Sequence, residues 1–373
     1  MNQIVKKQIL INGYNLRGYP VGIANVVINF INQISKCDEF EIEVVVFPDI
    51  PDCITSRIDK SNNLKITKIG CLNPFIWLFY YFNKYVNQKK PSLLWSPTPI
   101  LPLLIDRKIK KIVTIHDFVS TDFRDTMTLK GRLVTTLVEK KTIKTANLIW
   151  TVSNYTKQRL LELYPEINSK TIVVGSAPDS YFKKIAFEDK NYFLKKNGID
   201  KDFILFVGSL EPRKNLKFLL EVFKQLHCDI SYQLVVVGAR KWGTTDIKYI
   251  VEQDGFPRED VIFLNFISEE ELRFLYNIAS CYVSTSLNEG FGLPQAEAMK
   301  CECPVVTAHN SAMVEVVGGA GITVEGWDKT AWTDAIKLAI ANKEEIVKKQ
   351  NKKIEKYSWD EVSKDIINAI KEI

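Results

Sequence analysis

The chain of 373 residues lacks several features that mark common classes of protein. Its most apolar stretch, residues 74–86, is interrupted by Asn83 and Lys84 and falls short of the about 18 apolar residues of a membrane-spanning helix. Lys6 and Lys7 lead directly into a strand-like segment, without the apolar core of a secretion signal. The sequence therefore predicts no transmembrane helix and no cleaved signal peptide, and we expect a cytoplasmic protein.

Paired cysteine motifs and a strong charge imbalance are also missing. None of the seven cysteines forms a C-x-x-C pair, which favours reduced thiols over a disulfide framework. Cys301, Cys303 and His309 do not have the spacing of a structural zinc site. The balance of 50 Lys+Arg against 44 Asp+Glu, a formal +6, is too small to indicate a nucleic-acid partner. It suits anionic ligands or lipid surfaces.

Residues 74–90 combine aromatic side chains with lysines at positions 84, 89 and 90. An interfacial helix that contacts the inner surface of a membrane would have these two features. A helix packed against a β-sheet explains the aromatic residues as well. The sequence leaves both interpretations open, so the cytoplasmic protein could also be membrane-associated.

Short β-branched runs alternate with amphipathic stretches along the chain, a pattern typical of parallel sheets covered by helices. In the N-terminal half, strands are predicted at 8–12, 42–47, 111–115, 148–152 and 171–174. In the C-terminal half, they are predicted at 203–207, 233–237, 261–264, 281–285 and 304–307. Because this length exceeds what one core organises, we predict an α/β protein of two domains. The predicted domains are residues 1–182 and 183–357, and residues 358–373 form a terminal helix that packs back on the N-terminal domain.

The segment from Glu289 to Glu297, E-G-F-G-L-P-Q-A-E, follows the predicted strand 281–285 and leads into a helix. Gly290 and Gly292 free the backbone for positive φ and close ligand approach, and Pro294 suits a first helical turn. The loop thus presents backbone N–H groups at the carboxyl edge of a parallel sheet, where such folds bind ligands. Eight helical residues would separate the glutamates by about 12 Å, whereas glycosidase acid–base pairs need roughly 5 to 9.5 Å. The pair therefore indicates two contacts along an extended ligand.

A second turn, G-S-L-E-P-R-K-N at residues 208–215, follows the first predicted strand of the C-terminal domain. It places Arg213 and Lys214 at the start of a helix. Adjacent cations beside open N–H groups suit a diphosphate leaving group, whose charge grows as a glycosidic bond breaks. Facing the glutamate segment across one sheet edge, this turn predicts a site for a nucleotide-diphosphate sugar.

These two motifs resemble the E-x7-E signature and the phosphate-binding loop of the family four (group 1) retaining glycosyltransferases. The resemblance implies the GT-B fold, in which two Rossmann-like domains with parallel sheets face each other across a cleft. It also implies that Glu289 is a catalytic residue beside the donor sugar, that Glu297 holds the ribose hydroxyls, and that Arg213 and Lys214 grip the diphosphate. Many members carry arginine where this chain has Ser209, and Arg213 is expected to supply that second cation. The other implied donor contacts are Gly290, Phe291, Gly292 and Leu293.

In the N-terminal domain, residues 12–23 resemble the glycine-rich loop of the same family, in which Gly22 lets a helix N-terminus approach the donor phosphates. His116 and Asp117 follow the predicted strand 111–115. They are similar to a His-Asp pair of family members near the transferred sugar, which implies a catalytic role for His116. Ser153 and Asn154 hold the corresponding position after strand 148–152 and are expected to line the acceptor side.

Other enzyme classes fit the sequence less well. The only D-x-D triplet, at residues 200–202, precedes its strand, whereas a metal-dependent GT-A enzyme displays it after one. No G-x-G-x-x-G is followed by an acidic residue as in dinucleotide oxidoreductases. A nucleotide-sugar epimerase or hydrolase and a non-catalytic sugar-binding or scaffold protein stay open as alternatives.

The combination of His-Asp with P-R-K-N resembles bacterial mannosyl- and rhamnosyltransferases of surface polysaccharide assembly. The resemblance implies GDP-mannose as the donor and a saccharide or lipid-linked glycan as the acceptor. The nucleotide sugar is then a substrate, and we expect no cofactor, no metal and no nucleic-acid partner.

Overall fold

A computed structural model describes residues 6–18, 22–118, 129–186, 191–239, 245–265 and 267–373. The chain forms two compact units. The first comprises Met1–Ala177 and Trp359–Ile373, and the second comprises Pro178–Ser358.

The first unit is built on a seven-stranded sheet. Its strands are β1 (Lys7–Asn12), β2 (Phe40–Val46), β3 (Leu64–Lys68), β4 (Leu93–Ser96), β5 (Lys110–Ile115), β6 (Leu148–Thr151) and β7 (Thr171–Val173). Every pair is parallel, and the order is β3-β2-β1-β4-β5-β6-β7. The sheet therefore reverses its strand order between β1 and β4, which makes this the topological switch point of the unit.

Helices connect these strands, as parallel pairing requires. They are α1 (Ile23–Ile34), α2 (Asp52–Thr55), α3 (Pro74–Ile76), α4 (Asn83–Lys89), α5 (Leu129–Thr145) and α6 (Asn154–Leu163), with a π-helical turn at Trp77–Phe82 between α3 and α4. In α1 the buried side chains of Ala24, Val27, Ile28, Ile31 and Ile34 recur at helical spacing. This apolar face explains why α1 packs on the sheet.

The C-terminal helix, Trp359–Glu372, belongs to the core of the first unit. Its buried residues Trp359, Val362, Ile366 and Ile370 join the same apolar cluster as α1. Within the described part of the chain, no helix is both long and apolar enough to cross a membrane.

The second unit repeats this architecture with six strands. They are β8 (Phe203–Val207), β9 (Gln233–Val237), β10 (Val261–Leu264), β11 (Cys281–Ser284), β12 (Val305–Ala308) and β13 (Ile322–Val324). All pairs are parallel, in the order β10-β9-β8-β11-β12-β13. The switch point lies between β8 and β11. The predicted α/β fold with parallel sheets is confirmed.

Helices of the second unit pack apolar side chains against this sheet. They are α7 (Asn191–Lys196), α8 (Leu216–Leu226), α9 (Thr245–Val251), α10 (Glu269–Ile278), α11 (Leu293–Lys300), α12 (Ser311–Val317), α13 (Lys329–Ala341) and α14 (Lys343–Ile354). Because β8 and β11 are neighbours in this parallel sheet, the loops that follow them emerge side by side at its carboxyl edge.

Candidate active site

Two loops meet at the switch point of the second unit, and both were singled out by their sequence. The backbone N–H of Leu287, after β11, donates to the carbonyl of Arg213, after β8, at 2.8 Å. The hydroxyl of Thr285 donates to the carbonyls of Lys214 (3.2 Å) and Asn215 (3.0 Å). The turn after β8 and the glutamate segment after β11 therefore lie together within a single unit.

The turn after β8 has a tightly constrained backbone. Pro212–Lys214 is a 3-10 turn, and Asn215 takes a left-handed conformation (φ 52°) just before α8 begins. A side chain at Gly238, after β9, would place its Cβ only 1.9 Å from the carbonyl oxygen of Gly208. Glycine is required there for the turn to pass the end of β9. Gly238 stands in an unremarkable V-G-A context, so no sequence motif marks it.

Glu289 is buried and is held by several groups. One carboxylate oxygen, Oε2, accepts from Nη1 of Arg213 at 3.0 Å. The other, Oε1, accepts from Nζ of Lys214 and from the hydroxyl of Ser286, the latter at 2.7 Å. Its backbone N–H donates to the hydroxyl of Ser311 at 3.1 Å. The three residues predicted to act together, Arg213, Lys214 and Glu289, are in direct contact.

This arrangement keeps Glu289 ionised. Burial alone would raise the pKa of its carboxyl group, but the charges of Lys214 and Arg213 and the hydrogen bonds from Lys214 and Ser286 lower the pKa to about 2. Glu289 is therefore a carboxylate at neutral pH. It can stabilise positive charge or accept hydrogen bonds, but it cannot act as a general acid.

Arg213 bridges the two loops. Besides Glu289, its Nη1 donates to the carbonyl of Asn288 at 2.6 Å, and its Nη2 donates to the carboxylate of Glu211 at 2.8 Å. The guanidinium group is thus fixed between carboxylates from both sides of the switch point. The acidic partner Glu211 was missed at the sequence level, although it stands in the same turn.

A series of hydrogen bonds between buried polar side chains connects α11 to Glu289. Nε2 of Gln295, in α11, donates to the hydroxyl of Ser284 at 3.0 Å. That hydroxyl lies 3.3 Å from the hydroxyl of Ser286, which contacts Glu289. No local sequence pattern indicates these hydrogen bonds, because the partners of glutamine and serine side chains are determined only in the folded protein.

Glu297 lies in α11, apart from the cation cluster. Its Oε2 accepts from the hydroxyl of Tyr276 at 3.1 Å. Burial raises the pKa of its carboxyl group to about 7, with further increases from Glu269 and Asp179 and an opposing effect of the Tyr276 hydrogen bond. Glu297 therefore changes charge near neutral pH.

The remaining predicted donor residues surround these groups. Gly292 caps α11 with φ 91°, and Leu293 begins that helix. Phe291 is buried, and its ring centroid lies 5.4 Å from that of Tyr357. Gly290 is buried beside Glu289, and Ser209 lies half-buried in the turn after β8.

In the first unit, His116 follows β5 and is half-buried. Its Nε2 lies 2.9 Å from the carbonyl oxygen of Pro97, which follows the neighbouring strand β4. A carbonyl only accepts, so Nε2 carries the proton and Nδ1 of the neutral ring is an acceptor. Burial lowers the pKa of His116, although Asp117 and the Pro97 hydrogen bond oppose this effect. The ring is thus neutral at physiological pH.

The other predicted residues of the first unit lie at helix starts. Ser153 caps α6, because its buried hydroxyl accepts from the backbone N–H of Thr156 at 3.0 Å, and Asn154 is exposed in the first helical position. The hydroxyl of Thr156 also donates to the carbonyl of His116 at 3.4 Å. Gly22 caps α1 with φ 53°, and among the described residues no heavy atom outside its chain neighbours lies within 4 Å of the position that a Cβ would take.

Candidate metal ligands do not gather in the structure. Within the described residues, no group of three or more His, Cys, Asp or Glu could hold a metal ion. Cys281, Cys301 and Cys303 are buried free thiols whose pKa values are raised by burial. Their burial gives these thiols a packing role.

The sequence and the fold of this chain are similar to those of known proteins. Residues 189–359 match the model of the glycosyl transferases group 1. The chain is 29% identical over 292 residues to O-antigen chain mannosyltransferase B of Escherichia coli, covering 76% of this chain and 74% of that protein. It is 27% identical over 319 residues to O-antigen chain mannosyltransferase RfbU of Salmonella typhimurium, covering 82% of each. The crystal structure of Anabaena Alr3699/HepE in complex with UDP-glucose has a similar fold, with a TM-score of 0.78, 17% identity, and coverage of 98% of this chain and 100% of that one.

These findings confirm the resemblance derived from the two motifs. The fold is GT-B, and the chain carries the group 1 glycosyltransferase domain in its second unit. Its residues 189–359 thus match this glycosyltransferase group, and the chain is similar to enzymes that are named O-antigen chain mannosyltransferases.

Proposed function

We propose that this chain is a retaining, metal-independent hexosyltransferase that moves mannose from GDP-mannose to a saccharide or lipid-linked glycan. The observation that carries this proposal is the contact of Arg213 and Lys214 with Glu289 at the switch point of the second unit. It joins two cations, of the kind that suits a diphosphate, to an ionised carboxylate in one largely buried place. The names of the two O-antigen relatives support mannose as the transferred sugar.

The role of Arg213 and Lys214 is to stabilise the diphosphate leaving group. When the bond between the sugar and the diphosphate breaks, negative charge grows on the departing phosphate oxygens. Arg213 and Lys214 supply charge-assisted hydrogen bonds to that charge once the donor replaces part of their contacts with Glu211 and Glu289. Two side-chain cations fill the role that a divalent ion plays in GT-A enzymes, so catalysis needs no added metal.

Retention follows from attack on the same face of the sugar. The bond from the anomeric carbon to the phosphate oxygen breaks, and a bond from that carbon to the acceptor oxygen forms. The proton of the acceptor hydroxyl passes to the departing phosphate oxygen. Glu289, as a carboxylate, stabilises the positive charge that develops on the sugar, and neutral His116 positions a sugar or acceptor hydroxyl through Nδ1.

The donor is tested by a thermal-shift screen of GDP-, UDP- and dTDP-sugars. We expect GDP-mannose to give the largest stabilisation, because a ligand that binds only the folded protein raises its melting temperature. A larger shift with a UDP- or dTDP-sugar would replace the proposed donor. The absence of a shift with every nucleotide sugar would contradict the proposed function as a whole.

Product analysis separates this function from its alternatives. Incubation with GDP-mannose and a mannose-containing acceptor, with and without EDTA, should give a lengthened glycan and GDP in both cases. Without the acceptor, conversion of GDP-mannose into an epimeric sugar or nucleotide sugar would indicate an epimerase. Release of free mannose would indicate a hydrolase. Donor binding without any turnover would indicate a sugar-binding protein, and a requirement for added Mg²⁺ or Mn²⁺ would contradict metal independence.

A further inference from the structure

Several large apolar side chains are exposed together in the first unit, within residues 72–81. Leu72, Phe75, Ile76 and Tyr80 have 54%, 61%, 46% and 57% of their surface in contact with solvent. The rings of Phe75 and Phe79 lie 4.7 Å apart, and Tyr80 contacts Tyr81 at 5.0 Å. Contiguous exposed groups of this kind mark interaction sites, whereas single ones do not. We refer to them as the aromatic surface.

Loose packing does not explain this exposure. On the opposite face of the same segment, Trp77, Leu78 and Phe82 are buried. Trp77 stacks on Phe47 with 4.3 Å between ring centroids, and its Nε1 donates to the carbonyl of Ile69 at 2.9 Å. The π-helical turn is therefore fixed to the sheet, and its outer aromatic side chains are held in solvent.

A second exposed apolar site lies beside the same helix. Leu103 and Leu104 have 43% and 77% of their surface exposed. Asn87, in α4, donates to the carbonyl of Leu104 at 3.0 Å and accepts from the backbone N–H of Asp106 at 2.9 Å. These contacts hold the two leucines next to the helix that continues the aromatic surface.

Basic residues outnumber acidic ones in this region, where Glu43 pairs with Lys65 and Lys89 and Asp106 follows the two leucines. Between Asp59 and Asp106 the chain has no acidic residue, but it has lysines at positions 60, 65, 68, 84, 89 and 90. Lys68, Lys84 and Lys90 are exposed, and the exposed Arg107 and Lys108 follow the two leucines. Apolar and aromatic groups bordered by cations match the headgroup region of an anionic bilayer.

We propose that the aromatic surface, together with Leu103 and Leu104, docks on an anionic phospholipid bilayer. The aromatic rings enter the boundary between headgroups and acyl chains, and the surrounding lysines face lipid phosphates. The net positive charge disfavours a two-fold contact with a second copy, because that contact would bring like charges together. The docking goes beyond the proposed transfer reaction and does not depend on the identity of donor or acceptor.

Vesicle flotation of the full chain tests this proposal without any measurement of activity. We expect binding to vesicles of phosphatidylcholine mixed with phosphatidylglycerol at two to one. Binding to phosphatidylcholine alone should be weaker by about tenfold or more, since each basic residue near an anionic surface adds about 1 kcal/mol. High salt should weaken the binding to anionic vesicles.

Two variants and their controls locate the contact. The double variant Phe75→Ser/Tyr80→Ser should bind anionic vesicles at least about tenfold more weakly, because two rings no longer enter the lipid. Lys84→Glu should also weaken binding. Tyr192→Ser, at a tyrosine with 75% exposure in the second unit, and Lys348→Glu, at an exposed lysine of α14, should bind like the wild type.

The proposal is overturned if the wild type binds neither kind of vesicle, or if Phe75→Ser/Tyr80→Ser, with an unchanged melting temperature, binds as strongly as the wild type. Light scattering addresses the competing occupant. A wild-type dimer that the double variant converts into a monomer, without vesicle binding by either, would assign the aromatic surface to self-association. Failure of these tests would leave the donor screen and product analysis unaffected.

Discussion

Glu289 is a buried carboxylate that nevertheless carries a full charge, and this fact defines the electrostatics of the site. Together with Glu211, it balances the charges of Arg213 and Lys214 in the free protein. Two buried cations without such partners would carry a large desolvation cost. An incoming diphosphate brings its own negative charge, so it can replace a carboxylate contact by an equivalent charge-assisted hydrogen bond.

Replacement of Lys214 by alanine should weaken binding of the nucleoside diphosphate by about 2 to 4 kcal/mol, the usual cost of losing a charge-assisted contact in a closed site. The loss should also raise the pKa of Glu289, because Lys214 is the strongest of the groups that lower it. Calorimetric titration with GDP measures the first effect. Lys348→Ala serves as the matched control, and an affinity in Lys214→Ala equal to that of the control would remove Lys214 from the phosphate site.

Glu297 should make nucleotide binding depend on pH. Its carboxyl group has a pKa of about 7, raised mainly by burial, so it gains charge as the pH rises from about 6 to about 8. The ionised form accepts hydrogen bonds from ribose hydroxyls more strongly, so GDP affinity should rise over this range. Ionisation also costs the free protein stability as the pH rises from about 4.5, the ordinary pKa of a glutamate, to about 7, since the folded carboxyl group holds its proton more tightly than the unfolded one.

The variant Glu297→Gln provides the control for this prediction. Any titration of the phosphates of GDP persists in the variant, so the difference between the two pH profiles isolates the side chain at position 297. Calorimetric titrations across the range should give a flatter profile for Glu297→Gln. Parallel profiles for both proteins would exclude a role of Glu297 in nucleotide binding.

At the scale of elements, the turn after β8 passes so close to the end of β9 that its position depends on the glycine at position 238. A methyl group at position 238 would stand 1.9 Å from the carbonyl oxygen of Gly208, so Gly238→Ala must displace this turn. We expect a loss of about 1 to 3 kcal/mol in the free energy of unfolding, as for other overpacked sites, together with weaker GDP binding.

The substitution Gly255→Ala is the matched control for Gly238→Ala. Gly255 has φ 72° but nothing within 4 Å of the added Cβ, so the variant suffers backbone strain without a collision. It should lose stability but keep the affinity for GDP. Urea unfolding and calorimetry measure both quantities, and unchanged GDP affinity in Gly238→Ala would show that the turn tolerates the displacement.

The elements that sequence reasoning found are those with a strong local pattern. The predicted strands at 203–207, 233–237 and 261–264 have the same bounds as β8, β9 and β10, because short continuous apolar runs mark them in the sequence. The strands β3, β4 and β13 were not predicted. They are three to five residues long, and β3 lacks a fully buried residue, so their pairing depends on neighbouring strands that no local pattern reveals.

The same distinction applies to the candidate site. Arg213, Lys214 and Glu289 could be predicted to lie together because parallel topology brings the ends of β8 and β11 to one edge. The partners Glu211, Ser286 and Gln295 could not, since their roles depend on side-chain orientation. The capping contact of Ser153 is a similar case, because a serine after a strand is compatible with a helix cap as well as with a binding role.

At the scale of the molecule, the first unit is built from both ends of the chain. The C-terminal helix places Trp359, Val362, Ile366 and Ile370 in the core beside α1, and Lys7 in β1 donates to the carbonyl of Ile370 at 2.6 Å. Burial of each large side chain contributes about 1.5 to 3 kcal/mol, so the sum is comparable to the whole stability of a typical domain.

Deletion of residues 359–373 should therefore unfold the first unit and leave the second unit intact. Limited proteolysis followed by mass spectrometry should give rapid cleavage before residue 178 and a protected fragment within 178–358. The full-length chain under the same conditions is the control. Equal protection of both units in the deletion variant would contradict the dependence of the first core on this helix.

The stereochemical outcome of the reaction, measured together with the effects of two substitutions, tests the proposed roles of Glu289 and His116. Glu289 is ionised and could attack the anomeric carbon in a double displacement, which also retains configuration, so retention alone does not distinguish the two routes. Proton NMR of the fresh product should give the anomeric coupling of the donor, and an inverted pattern would contradict a retaining enzyme.

Variants of His116 distinguish same-face attack from double displacement. The neutral ring of His116 is held by the Pro97 carbonyl, with Nδ1 as the acceptor. If this ring positions a reacting hydroxyl, His116→Ala should lower kcat by about a hundredfold while donor affinity stays nearly constant, whereas Glu289→Ala should damage both. Under double displacement, a covalent mannosyl adduct on Glu289 should accumulate in His116→Ala given donor without acceptor, and mass spectrometry would detect it. A near wild-type kcat in His116→Ala would assign that side chain a purely structural role.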